Sequence, residues 1–142
     1  MDDLGLDILL QLSDEVFKMI VMNVGIMSQE DYKNRTIAIA KGLHKPKENE
    51  PKVWFESVKS LAQVLSNESQ ALLKTIIECK PKPLTELEKI SNRKKSNLSR
   101  TLKTLENYGI VSLARVNGKV VPTVKATDFK VEFGVTSLAY AS

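Results

Sequence analysis

The sequence predicts a mainly α fold with a small β-wing: a winged helix-turn-helix domain preceded by a helical N-terminal region. Three observations carry that expectation. Leucines and isoleucines recur at helical spacing from Leu72 to Leu105. Asn117-Gly118 separates two β-rich runs, and this dipeptide suits a two-residue hairpin because a type I′ turn needs positive φ twice. Prolines at 46, 51, 81 and 83 punctuate the chain where helices would have to stop.

The elements follow in order. Asp2 or Asp3 can cap a helix over about residues 3–20, with Leu4, Ile8, Leu12 and Val16 recurring every four residues along one face. Leu6, Leu9, Leu10 and Phe17 widen that face, so such a helix must bury most of its circumference inside the fold or against another chain. Ile20 to Ile26 is rich in β-branched residues and reads alternatively as a short strand, and Met22 is an alternative start. Ser28 opens a second helix, with Asp31 completing a variant capping box and Gly42 ending it. Residues 44–52, HKPKENEPK, read as a polar linker in which Glu48 and Glu50 serve solubility. Val53, Trp54 and Phe55 form a short apolar run, and Ser57 caps a helix carrying Val58, Leu61, Ala62 and Leu65.

In the second half, Asn67 starts a helix with Leu72, Leu73, Ile76 and Ile77 inward, stopped by Pro81 and Pro83. Thr85 and Glu88 make a capping box for a short helix to Ser91, with Leu87 and Ile90 inward. Asn92-Arg93 is a turn. A further helix runs from about Lys95 to Tyr108, with Leu98, Leu102 and Leu105 at core spacing and Gly109 as its left-handed stop. Ile110–Val116 and Lys119–Val124 are the strands of the hairpin, and Phe129, Val131 and Phe133 alternate with Lys130 and Glu132 as one more strand. The expected division is a helical N-terminal region with linker over 1–52, a DNA-binding domain over 53–133 and a tail over 134–142.

Function is carried by the last helix. Six bases (Lys89, Arg93, Lys94, Lys95, Arg100 and Lys103) and no acid lie between residues 89 and 103. With the three leucines facing the core, Ser96, Asn97, Arg100, Lys103 and Thr104 must face solvent, which is the disposition of a recognition helix in a DNA major groove. Side-chain geometry assigns Arg100 to guanine O6 and N7 and Asn97 to adenine N6 and N7, with Ser96 on a base edge or phosphate. Lys94, Lys95 and Lys103 suit phosphates, which position without specifying. Arg115, Asn117 and Lys119 at the hairpin tip can reach an adjacent groove.

Charge is segregated in the same sense. Residues 1–31 hold seven acids and one base, while the remainder holds twenty bases and ten acids. A basic body suits a polyanion. The acidic, apolar head, through Leu4, Ile8, Leu12 and Val16, suits either dimerisation or a groove on a basic partner. Double-stranded DNA and a second copy of the chain are therefore the expected partners.

Other classes find little support. The one cysteine, Cys79, falls on an expected core helix, and the absence of any intrachain disulfide suits a reducing, cytoplasmic setting. The one histidine, His44, falls in the linker, so no metal cluster and no Cys/His catalytic pair is expected. Neither GxxxxGK[ST] nor GxGxxG occurs, so no cofactor is expected. Acids interrupt the apolar head too often for a membrane-spanning helix.

The stretch LTELEKISNRKKSNLSRTLKTLENYGIV resembles the MarR-type winged-helix regulators of bacteria and archaea. VGIMSQEDYKNRTIAIAKG and EPKVWFESVKSLAQVLS, taken with it, extend a resemblance over residues 24–133 to prokaryotic DNA-binding proteins, some regarded as TumA-type antitoxins of TumE-type toxins. The resemblance implies a DNA-binding antitoxin that represses its own operon and has a cognate toxin protein as a further partner. A stand-alone MarR-like repressor switched by a small molecule is the alternative, and a protein-interaction module is a third reading. In one respect the sequence departs from the pattern: Lys94 stands where many such recognition helices have a capping serine.

Overall fold

Six residues rich in β-branched side chains, Val21–Ile26, form strand β1 and open a mixed α/β structure. The computed structural model describes residues 19–80 and 83–135. Among these, five helices account for 46% of residues and strands for 23%. This overturns the expectation of a mainly α chain with a small wing. The difference lies in a second sheet, of order β2-β1-β5, built largely from residues ahead of the basic helix. The described chain divides into two units, Val21–Asn67 with residues from Phe129 onward, and Glu68–Asp128 together with Met19 and Ile20.

The first unit begins with β1, whose burial deepens toward Val24, Ile26 and Met27. Ser28 then caps helix α1 (Gln29–Ala40): the backbone N–H of Asp31 donates to Ser28 Oγ at 3.1 Å. Glu30 and Asp31 sit in the first turn, where the helix dipole favours acids. At the other end Gly42, at φ 75°, lets the N–H of Leu43 reach the carbonyl of Ala38 and its own N–H reach Ile39. That paired arrangement satisfies carbonyls a helix end would otherwise leave open. Strand β2 (Val53–Phe55) pairs parallel with β1, placing Gly25 beside Trp54 and Ile26 beside Phe55. Helix α2 (Val58–Val64) follows, capped by Ser57. Strand β5 (Asp128–Glu132) takes the other side of β1.

Three expectations for this region have different outcomes. Of the two readings for Ile20–Ile26, the strand is observed. The stretch 44–52 does not run free through solvent, because His44, Glu50 and Pro51 are buried. The helix expected over about residues 3–20 falls almost wholly outside the described residues, as do Leu4, Ile8, Leu12 and Val16; Met19 and Ile20, at its end, are not helical.

The second unit packs three helices under an antiparallel hairpin. Helix α3 (Asn67–Cys79) buries Leu72, Leu73 and Ile76; helix α4 (Leu84–Ser91) buries Leu84 and Leu87; helix α5 (Lys95–Asn107) buries Leu98, Leu102 and Leu105. Ile110, Val111, Pro122 and Ala126 complete this core. Burying each such side chain contributes roughly 1.5–3 kcal/mol relative to leaving it in water. Gly109, at φ 75°, ends α5 as Gly42 ends α1, with Ile110 N–H donating to the Leu105 carbonyl. Strands β3 (Val111–Val116) and β4 (Lys119–Val124) pair from Val111 with Val124 down to Val116 with Lys119. Asn117 and Gly118 close the turn at φ 53° and 77°, both left-handed as a type I′ turn requires.

Here too local expectations shift. Helix α4 begins one residue early, behind Pro83, and no side chain caps it, so the Thr85/Glu88 capping box does not form. Ile90, expected inward, is half exposed and lines the groove beside the α4–α5 turn. The expected turn at Asn92-Arg93 is present: Asn92, at φ 55°, is the left-handed residue that ends α4 and aims the chain into α5. Cys79 is half-buried.

Candidate nucleic-acid interface

Helix α5 is fixed by its leucines. Leu98, Leu102 and Leu105 are each at most 1% exposed. At about 100° per residue the opposite side of the helix carries Ser96, Asn97, Arg100, Lys103 and Thr104, and all five are exposed. Lys94 occupies the N-cap position without a side-chain cap, and with Lys95 it stands exposed at the start of the helix.

The basic residues separate into two neighbouring sites. A groove of about 800 Å³ runs between α3 and the α4–α5 turn. Arg93, Lys94, Ser96, Asn97 and Arg100 line it on one side, with Glu68, Ala71 and Thr75 of α3 across from them. A smaller cleft of about 220 Å³ brings Lys95 of α5 together with Arg115 and Lys119 of the hairpin, beside Pro83, Leu84 and Thr85. Lys95, Arg115 and Lys119, far apart in sequence, thus share one cationic cleft. Asn117 lies at the exposed tip, holding the turn conformation.

Two exposed residues on α5 are already engaged. The Lys103 ammonium donates to the Glu106 carboxylate at 3.1 Å, one turn along the helix. Asn97 Oδ1 accepts from Nε and Nη2 of Arg93, and Nη2 also donates to Thr101 Oγ1 at 3.3 Å. Asn97 therefore does not stand as an open amide ready for a base edge. Arg93, not singled out as a contact from sequence, emerges as part of the groove wall; its spacing of four and eight residues from Asn97 and Thr101 was the signal available.

The first unit holds a separate polar constellation. Arg35 Nη2 donates to Glu50 Oε2 at 2.8 Å, His44 Nε2 lies 3.6 Å from Glu50 Oε1, and the Arg35 guanidinium stacks 5.1 Å from the Trp54 ring centroid. Burial by itself would raise the Glu50 pKa. The hydrogen bond and charge of Arg35, with His44 and the Lys47 backbone amide, outweigh it and hold the carboxyl below its ordinary value. Read from sequence as solvated linker, His44 and Glu50 instead tie residues 44–50 to α1. Among the described residues no group of three or more His, Cys, Asp or Glu side chains is placed to hold a metal ion. No helix among them is long and apolar enough to cross a membrane.

Residues 64–131 match the model of the HVO_A0114 family. The matched stretch runs from the end of α2 through α3, α4, α5, the hairpin and most of β5, so it contains both the groove and the smaller cleft. No curated protein and no solved structure matches the chain.

Proposed function

We propose that the chain is a sequence-specific regulator that binds double-stranded DNA with α5 in the major groove and the β3–β4 hairpin on flanking backbone. One observation supports this above the others: the six bases of residues 89–103, without an intervening acid, border a helix whose opposite face is locked into the core by three buried leucines. A cationic helix of that kind, rigidly presented, suits a polyanion of fixed shape. Arg100 is the base reader, since its guanidinium is exposed at the helix centre and has the geometry to fork onto guanine O6 and N7. Lys94 serves the phosphates on one side, and Lys95, Arg115 and Lys119 serve them on the other.

Within this reading the TumA-type resemblance extends the role to an antitoxin that represses its own operon, acting as a homodimer on two half-sites. Co-expression with the neighbouring gene product, followed by co-purification and growth rescue, tests that part separately. The DNA-binding role is tested by fluorescence anisotropy with a labelled random-sequence duplex through a salt series. The expected result is a loss on the order of a hundredfold between about 50 and 200 mM salt. A flat response would instead favour a protein-interaction module.

A further inference from the structure

We infer that Arg93 is a phosphate clamp set in place by Asn97 and Thr101, and that Asn97 acts as a positioning residue for it instead of reading a base. The inference rests on the DNA-binding reading above. A guanidinium has five N–H donors, one on Nε and two on each terminal nitrogen. In this structure Nε donates to Asn97 Oδ1, and Nη2 donates to both Asn97 Oδ1 and Thr101 Oγ1. Three donors are thereby engaged, and the two on Nη1 remain.

The geometry decides what those two donors can do. Bidentate recognition of guanine needs two nitrogens of one edge, either Nε with Nη2 or Nη1 with Nη2. Both edges contain Nη2, whose hydrogens are held by Asn97 and Thr101. Arg93 so held offers a full positive charge and one nitrogen, which suits a phosphate oxygen. Asn97 is constrained in the same way. Reading adenine requires its Oδ1 to accept from N6, yet that oxygen already accepts twice from Arg93.

Position agrees with this assignment. Arg93 is half-buried at the turn before α5, on the wall of the groove it shares with Lys94 and Arg100. A backbone phosphate at the mouth of that groove would meet Arg93 and Lys94 together. Glu68, also lining the groove, is the one acid there. Pinning one long side chain through two others on the same helix reduces the rotamer entropy lost when DNA binds.

The test is a double-mutant cycle read by anisotropy, using the full chain, a random-sequence duplex and the tightest duplex the unaltered chain selects from a randomised library. Arg93→Ala is expected to weaken both duplexes by a similar factor, about tenfold, and to reduce the slope of log affinity against log salt by about 0.9. Asn97→Ala is expected to weaken both duplexes less, to leave the selected base preferences unchanged, and to have no further effect when Arg93 is already alanine. Arg93→Lys, which keeps the charge but cannot be forked by Asn97, should be indifferent to Asn97→Ala. If Asn97→Ala instead changes preference at one base pair, with or without Arg93, Asn97 is a reader and the inference is wrong. If the unaltered chain binds neither duplex, the DNA-binding reading itself fails, and the inference with it.

Discussion

The Arg35 guanidinium and the Glu50 carboxylate meet at 2.8 Å, with side chains 11% and 8% exposed. This pair ties the segment after α1 back onto that helix, and His44 flanks it at 3.6 Å. Arg35 Nε and His44 Nε2 are buried without a hydrogen-bond partner among the described residues. Replacing Glu50 by alanine would leave Arg35 uncompensated over the Trp54 ring. The expected cost is about 3 kcal/mol, read from urea denaturation. A variant within experimental error of the unaltered chain would refute a structural role for the pair.

Glu50 also predicts a pH dependence. Its folded-state pKa is lowered, so its contribution to stability is fully present above the unfolded carboxylate value, about 4.3. The contribution is lost as pH falls through the lowered folded-state value. The difference in unfolding free energy between the unaltered chain and Glu50→Gln should be constant at neutral pH and shrink as the solution is acidified below about pH 5. A difference that grew with acidification would reverse the sign and exclude this account.

Gly25 carries a different constraint. A Cβ built on it would overlap the Cζ3 edge of the Trp54 ring, which its register partner on β2 lays across the strand. Gly25→Ala must therefore displace the indole, and with it the stacked Arg35. The expected cost is about 1–3 kcal/mol. Trp54 is the only tryptophan, so its emission maximum should shift to the red as the ring gains solvent. An unchanged spectrum with unchanged stability would show the site to be roomier than described.

On α5, Arg100 and Lys103 should differ. Arg100→Ala is expected to cost about 1–3 kcal/mol of operator affinity and to relax preference at one base pair. Lys103 is paired with Glu106, so Lys103→Ala should cost less and act alike on all duplexes. Equal losses with unchanged preference would remove Arg100 from the base-reading role.

At the hairpin, Gly118 has φ 77° and open space beyond its Cα, so a side chain there meets backbone strain and no clash. Gly118→Ala should destabilise by about 1 kcal/mol. Its effect on the salt slope should be smaller than that of Arg115→Ala or Lys119→Ala, each of which should remove about one phosphate contact.

What could be read directly from the chain was whatever is satisfied within about one helical turn or one tight turn. Ser28 with Asp31, Gly42, Gly109 and Asn117-Gly118 announce themselves because their partners are neighbours in sequence. Leu98, Leu102 and Leu105 do so because a helix repeats its buried face every three or four residues. The strands β1 and β5 were legible, one as an alternative and one by its alternation, but their joining through β2 was not: a three-residue strand, Val53–Phe55, has too little length to show a period, and its pairing with β1 is non-local. The same limit hid the Arg35–Glu50 pair, fifteen residues apart; Arg93 and Asn97 are only four apart, and their contact went unread because two polar side chains on an exposed turn look solvated until the fold shows them together. Sequence alone therefore determined the Ser28 and Ser57 caps, the glycine stops, the Asn117-Gly118 turn and the exposed basic face of α5. Only the tertiary structure decided that the chain is mixed α/β, that His44 and Glu50 are interior, and that Lys95, Arg115 and Lys119 share one cleft, because those outcomes depend on which distant groups come within a few ångströms of each other.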